Sequence, residues 1–301
     1  MTILNIFLGT MIIMALGFAV IYCRDLYINR KKENLTDRTF IPLSAVGYVS
    51  SFFDTLGIGC FATTTAMLKI FKLTDDRRMP GTLNVGCTIP VIIEALLFTN
   101  VIKVDLATLI PMVAAAAAGA LIGAGIVAKL NEVVVQIGMG VALLIVMTLM
   151  FMSQIGLTPS GGTATGLTGT ALIIGIAGNF ILGALMTLGI GLYAPCLALV
   201  YSLGMSPQVA FPIMMGSCAF LMIIASVKFI REDAYDRKAS MPRTLFGICG
   251  VFTAFYVVKT LPLNTLMWIV IGVIACTSIM MFRSARENIV NREKKTSALN
   301  I

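Results

Sequence analysis

Charged residues are scarce in this chain, and histidine is absent. Asp, Glu, Lys and Arg make up 12% of the 301 residues, and hydrophobic residues make up 58%. A soluble domain carries about a quarter charged residues, so too little polar surface is present to cover a globule in water. Repeated apolar runs of roughly 20 residues account for the deficit, and they predict helices rather than alternating strands. The expected fold class is an all-α, polytopic integral membrane bundle.

The missing residue types also argue against several functions. Without histidine or a CxxC pair, the seven cysteines indicate neither a zinc site nor a disulfide framework, so we predict no metal and no cofactor. No HExxH, no GxxxxGK[ST] and no paired nucleophile and base is present, which argues against an enzyme and a nucleotide-driven pump. The net charge of +8 does not indicate a nucleic-acid partner, because Lys and Arg cluster in short loops, as they do on the cytoplasmic side of membrane proteins.

Nine apolar segments are expected to enter the membrane. The first is predicted to be a retained helix with its N-terminus outside, since no positive charge precedes it and no small-residue cleavage site follows it. The segments are 2–23, 45–72, 80–100, 106–128, 133–152, 168–203, 208–230, 243–260 and 263–282.

The basic loops indicate that two of these segments are not simple spans. Loops 24–43 and 73–79 are both rich in Lys and Arg, which places both on the cytoplasmic side. Segment 45–72 should therefore enter and return as a re-entrant hairpin, with a single broken helix as the alternative. Segment 168–203 should be a second hairpin from the outside. The loop before segment 243–260 is also predicted to be cytoplasmic, and its basic residues are Arg231, Arg237, Lys238 and Arg243.

The two proposed hairpins share a sequence motif. Residues 55–62 (TLGIGCFA) match residues 187–194 (TLGIGLYA) at six of eight positions. Each half then contains one hairpin and three spans, and an odd number of spans predicts two inverted repeats. The expected divisions are an N-terminal helix and cytoplasmic loop at 1–44, repeat 1 at 45–152, an external linker at 153–167, repeat 2 at 168–283 and a cytoplasmic tail at 284–301.

Glycine pairs break both hairpins and predict a binding site. A broken helix in lipid leaves backbone groups unpaired, which is tolerated where the break lines a cavity, and the new helix N-terminus attracts anions. Close helix packing is the alternative role of such glycines. The candidate substrate-binding residues are Gly57, Gly59, Thr63, Thr64, Asn84, Gly189, Gly191, Tyr193 and Ser217.

Two carboxylates within the membrane segments are candidates for proton coupling. Asp54 precedes the first glycine pair, and Glu94 lies in segment 80–100. Intramembrane carboxylates are costly and are functional hypotheses by default. The alternatives for Asp54 are an ion pair with Lys69 or a cap on the broken helix.

The stretch from Ser51 to Lys69, followed by residues 80–86 (PGTLNVG), resembles the TauE/SafE sulfite exporter family over roughly residues 45–283. The resemblance implies a multi-pass permease of a bacterial or archaeal cytoplasmic membrane that moves small sulfur-containing anions. A passive channel of the same architecture is the alternative, and a homo-oligomer is possible. Where the family often has a third glycine, this chain has Cys60 and Leu192.

A sulfur-containing substrate draws attention to two cysteines. Cys87 and Cys218 lie at similar positions in the two halves, and thiols can contact or exchange with sulfur species. No cationic partner for either thiol is visible in the sequence, so packing is the alternative interpretation.

Overall fold

The computed structural model describes residues 3–30, 39–57, 59–71, 73–74, 78–127, 132–157, 162–186, 191–260 and 262–299. In these residues it contains eleven α-helices and no β-strand. The helices are α1 (Ile3–Asn29), α2 (Phe40–Thr55), α3 (Cys60–Ile70), α4 (Met79–Val101), α5 (Leu106–Val127), α6 (Glu132–Gln154), α7 (Gly169–Met186), α8 (Tyr193–Ser202), α9 (Pro207–Arg231), α10 (Arg237–Thr260) and α11 (Leu263–Leu299).

The helices confirm the predicted membrane fold class. Six of those described are long and apolar enough to cross a membrane. Large apolar side chains also point outward, as on α1, where Ile13 is 71% exposed and Val20 67% exposed. Such a surface is expected where lipid replaces water. The chain is therefore a multi-pass membrane protein, in which segments 45–72 and 168–203 are each divided into two helices.

The first divided segment runs beside α10 in the same direction. A Cβ on Gly47 would lie 2.6 Å from Cα of Arg243, and one on Gly250 would lie 2.3 Å from the Tyr48 carbonyl oxygen. Rising residue numbers on α2 therefore meet rising numbers on α10. Since the two helices are parallel, α2 begins at the end of the bundle where α10 begins.

The helix α3 returns to that same end. Beyond α3, Thr74 donates a hydrogen bond of 2.6 Å to Asp236, which directly precedes α10. The Asp236 backbone N–H in turn donates to Thr82 in the first turn of α4. The two helices therefore form a hairpin that begins and ends at one end of the bundle, which favours the re-entrant prediction over a single broken helix. Its course in a membrane stays a prediction.

The second divided segment also forms a hairpin of two helices, which lies at the end of the bundle where α4 ends and α5 begins. Here α7 runs parallel to α5, with Asn179 donating to the Met112 carbonyl and Gly183 packed on Ala116. After α8 the chain comes back to the start of α5, where Ser206 N–H donates to the carbonyl of Ala164. The two hairpins thus enter from opposite ends of the bundle.

Corresponding helices of the two halves pack in the same way. Close contacts join α2 to α10 and α5 to α7, and α4 to α9 and α6 to α11. In the repeat, α2 corresponds to α7, α4 to α9, α5 to α10 and α6 to α11. Exchanging these helices reproduces the same set of pairs. The inverted orientation in the membrane and the domain boundaries derived from it stay predictions. The tail expected at 284–301 is helical as far as Leu299, because α11 continues through it.

One prediction about the charged loops is wrong. Arg237, Lys238 and Arg243 were placed in a loop, but α10 begins at Arg237 and includes all three. Arg237 is only 4% exposed and pairs with Asp25 of α1 at 2.7 Å. Counting basic residues predicts a side of the membrane but not the helix boundary, because a paired or hydrogen-bonded cation can lie inside a helix.

The helix α1 is attached to the bundle at this cationic end of α10. Tyr235, between α9 and α10, donates a hydrogen bond of 2.5 Å to the Asp25 carboxylate, and Tyr22 donates to Ser240. Burial, together with the bond to Asp25, raises the pKa of Tyr235 well above its ordinary value. The hydroxyl therefore stays protonated and keeps donating at physiological pH.

Candidate functional site

The first glycine pair breaks the helix where the sequence predicted. Gly57 and Gly59 have φ values of +95° and +88°, in the left-handed region that side chains with a Cβ rarely occupy. The helix α2 ends at Thr55 and α3 begins at Cys60. The break thus places the free N–H groups of α3 inside the protein.

Asp54 lies at the start of the new helix at this break. One of its carboxylate oxygens lies within 4.8 Å of Cys60 Sγ, and Oδ2 has no hydrogen-bond partner among the described residues. Asp54 is 1% exposed. This position suits the capping interpretation, which stays a prediction. The side chain of Lys69, the alternative ion-pair partner, lies outside the described residues, and a role in proton coupling stays a prediction.

The charged residue at the break is one that the sequence did not indicate as a site. Arg243 is 1% exposed, and its guanidinium donates to the Thr64 hydroxyl at 2.8 Å, to the Leu83 carbonyl at 3.1 Å and to Cys87 Sγ. Its Nε has no partner, and no carboxylate among the described residues lies within ion-pair distance. Arg243 is the largest side chain that is fully buried in the described part of the chain.

A buried cation with this environment has a physical consequence. Taking a charge out of water costs several kcal/mol, and carbonyl or hydroxyl dipoles offset only part of that cost. Asp54 interacts with Arg243 electrostatically but does not form an ion pair with it. The unfilled hydrogen-bonding capacity of Arg243, beside the N-terminus of α3, therefore suits an anion.

Two adjacent thiols lie beside Arg243, and one of them contacts the guanidinium. The Sγ atoms of Cys60 and Cys87 are 2.7 Å apart, and Cys87 is the thiol that contacts Arg243. The expectation that no cationic partner faces Cys87 is therefore wrong. One carboxylate oxygen of Asp54 and the two sulfur atoms lie within 4.8 Å of one another, as metal ligands would. A guanidinium in contact with one of these sulfurs repels a metal cation, so we favour an anion at this position.

Glu94 joins the two hairpins. Its carboxylate accepts a hydrogen bond of 2.8 Å from Thr55 at the end of α2, and one of 3.1 Å from Tyr193 at the start of α8. Glu94 is fully buried in α4. A change in the protonation state of Glu94 would therefore alter hydrogen bonds at both breaks.

The second break has no matching charge among the described residues. Gly189 lies outside them, and Gly191 is two residues before α8. Asp54 precedes the first break, whereas Met186 is at the corresponding position before the second break. The Sδ atom of Met186 lies 3.6 Å from Cys218 Sγ. The site is therefore asymmetric, although the backbone of the two halves is similar.

Three predicted binding residues are not part of the polar cluster around Arg243. Thr63 donates to the carbonyl of Cys60, and Asn84 donates to that of Pro80, so both bond within their own helices. Ser217 accepts a hydrogen bond of 2.9 Å from Asn179 of α7. Thr64 and Tyr193 do belong to the contacts described above.

The sequence repeat contains a signal that Arg243 lies inside a helix. Pro111 and Pro242 match at nearly the same spacing as the glycine motifs, which aligns Arg243 with Met112 inside α5. Extending the repeat in this way would have placed Arg243 within a helix of the bundle rather than in a loop.

Comparison with known proteins adds a family to this geometry. Residues 170–300 match the family model described as Sulfite exporter TauE/SafE. The resemblance read from the sequence is confirmed over this part of the chain, which contains the second hairpin and Arg243. No curated protein and no solved structure matches the chain. The description of that family is of sulfite exporters.

Proposed function

We propose that this chain is a secondary permease for sulfite or small organosulfur anions, located in the cytoplasmic membrane of a bacterium or archaeon. The observation that carries the proposal is Arg243, a buried guanidinium with an unpartnered Nε beside the broken helix. The helix dipole of α3 adds to the positive potential there. The partners are the anion and the lipid bilayer, and self-association is possible. The proposed transport requires no enzymatic step.

Asp54 supplies a means of proton coupling in this proposal. Its carboxylate lies in the electrostatic field of Arg243 and Glu94. When Asp54 is charged, it opposes the entry of an anion beside Arg243. Protonation of Asp54 removes that repulsion, so a proton and an anion would bind together. The bond from Tyr193 to Glu94 would carry this change to the second hairpin.

The direct test is uptake of radiolabelled sulfite, thiosulfate and sulfoacetate by proteoliposomes, with and without an imposed pH gradient. Saturable flux that responds to the gradient supports a coupled permease. Saturable flux without a response to the gradient would instead support the passive facilitator. If folded, inserted protein moves none of the three anions, the proposed substrate class is wrong.

Replacing Asp54 with asparagine should separate binding from coupling. Asparagine has nearly the same size as aspartate and keeps a side-chain oxygen that can cap a helix, but it carries no titratable charge. We expect Asp54→Asn to keep anion exchange across the membrane at equal pH and to lose gradient-driven accumulation. The measurement is tracer counterflow compared with pH-driven uptake in the same vesicles.

The matched control is Asp105→Asn. Asp105 is exposed and caps α5 through the backbone N–H of Ala107. This variant should accumulate the anion as the wild type does. Unchanged pH dependence of uptake by Asp54→Asn would show that Asp54 is only a helix cap.

A further inference from the structure

The anion site contains a pair of thiols that its binding role does not use. Cys60 is the first residue of α3, and Cys87 lies in α4. Both are at most 3% exposed, and their sulfur atoms are 2.7 Å apart. A disulfide bond is about 2.05 Å long, so a movement of less than about 1 Å would bring the sulfurs to bonding distance.

We propose that Cys60 and Cys87 form a redox-active dithiol, which anions containing a sulfur–sulfur bond oxidise to a disulfide. The contact between Cys87 and the Arg243 guanidinium supports the proposal, because it gives a thiolate formed during the reaction a positive counter-charge. The same guanidinium attracts the anionic reagent. The proposal rests on the proposed function only for delivery of the anion to the thiols.

Tetrathionate illustrates the balance of atoms and electrons. The Cys87 thiolate attacks one of the two central sulfurs, the central sulfur–sulfur bond breaks, and one thiosulfate leaves. Cys87 then carries an S-sulfothio group. The Cys60 thiolate attacks Cys87 Sγ and releases the second thiosulfate. The two thiols lose two protons and two electrons, and one tetrathionate is reduced to two thiosulfates.

The consequence is a covalent link across the anion site. The disulfide would join the N-terminus of α3 to α4, next to the Asp54 carboxylate. Sulfite and sulfonates contain no sulfur–sulfur bond, so they would bind without oxidising the thiols. The site would thus distinguish two classes of sulfur anion by their chemistry.

The test uses the full-length chain with Cys60 and Cys87 as its only cysteines. The other five, Cys23, Cys196, Cys218, Cys249 and Cys276, are changed to serine or alanine. After treatment with tetrathionate, we expect loss of both free thiols, a mass lower by two hydrogens, and recovery of both thiols with dithiothreitol. The wild type, analysed by peptide mass mapping, should show the same Cys60–Cys87 link if the variant fails to fold.

Single-cysteine variants and a second oxidant make the result decisive. With Cys60→Ser, the reaction should stop at the S-sulfothio adduct on Cys87. Diamide, a neutral oxidant, tests the dithiol without the anion site. If neither oxidant links the thiols in folded protein, the proposal is overturned. If diamide alone links them, oxidation by anions is overturned, and that result also counts against an anion site at Arg243. Failure of sulfite transport would leave the diamide result unaffected.

Discussion

Replacing Arg243 with glutamine should abolish tight binding of sulfite while leaving the empty protein at least as stable as the wild type. Truncating one partner of a buried charge pair costs about 2–5 kcal/mol of binding, which corresponds to an affinity roughly 30-fold to more than 1000-fold weaker. In the empty protein, however, the guanidinium is a buried charge that forms no ion pair among the described residues and is only partly compensated by hydrogen bonds. Removing it relieves a desolvation cost rather than breaking an ion pair.

The measurement is thermal unfolding in detergent with and without sulfite. A ligand that binds the folded state raises the apparent Tm in proportion to RT ln(1 + [L]/Kd). For Arg243→Gln we expect an unchanged or higher Tm without sulfite, and no increase on adding sulfite. Arg243→Lys should bind weakly, because lysine keeps the charge but not the planar fork of donors that reaches Thr64 and Leu83.

The control for this variant is Arg231→Gln. Arg231 is exposed at the end of α9, so its loss removes one positive charge without changing the bundle interior. Its response to sulfite should equal that of the wild type. Wild-type affinity in folded Arg243→Gln would mean that the anion binds elsewhere.

Replacing Gly183 with valine should separate α7 from α5 and destabilise the whole bundle. A Cβ at this position would lie 2.1 Å from the carbonyl oxygen of Ala116. The obstructing atom belongs to the backbone, so no side-chain rotation relieves the overlap. Overpacking typically costs about 1–3 kcal/mol, and a backbone overlap lies at or beyond the upper end of that range. We expect an apparent Tm lower by roughly 10 °C in detergent.

Thermal unfolding of the purified variant measures this effect, and Gly272→Val is the control. Gly272 is exposed on α11, and a Cβ there would meet nothing within 4 Å. The control should match the wild-type Tm, because lipid or detergent accommodates the added methyl groups. A similar Tm for Gly183→Val would show that α5 and α7 are not packed backbone to backbone.

Several features of the fold follow from local sequence alone. The apolar segments correspond to helices because a membrane requires each spanning backbone to satisfy its own hydrogen bonds. The break at Gly57 and Gly59 was predictable because glycine disfavours a continuous helix and adopts positive φ values without the energetic cost that other residues incur. Both residues have positive φ values. The repeated TLGIG motif and the basic loops together predict both hairpins.

The composition of the site depended on long-range contacts. Arg243 was read as a loop cation because a hydropathy pattern treats every arginine as a polar boundary. Its burial results from the close approach of α2 and α10 at Gly47, and from the Leu83 carbonyl and Thr64 hydroxyl supplied by other helices. Cys60 and Cys87 likewise meet only because α3 folds back beside α4. The sequence by itself determined that this is a membrane helix bundle with two broken hairpins, since those properties arise from apolar length, glycine and loop charge. Only the tertiary structure decided that a guanidinium, two thiols and two carboxylates share one buried region, because packing between distant helices, and not local pattern, brings those groups together.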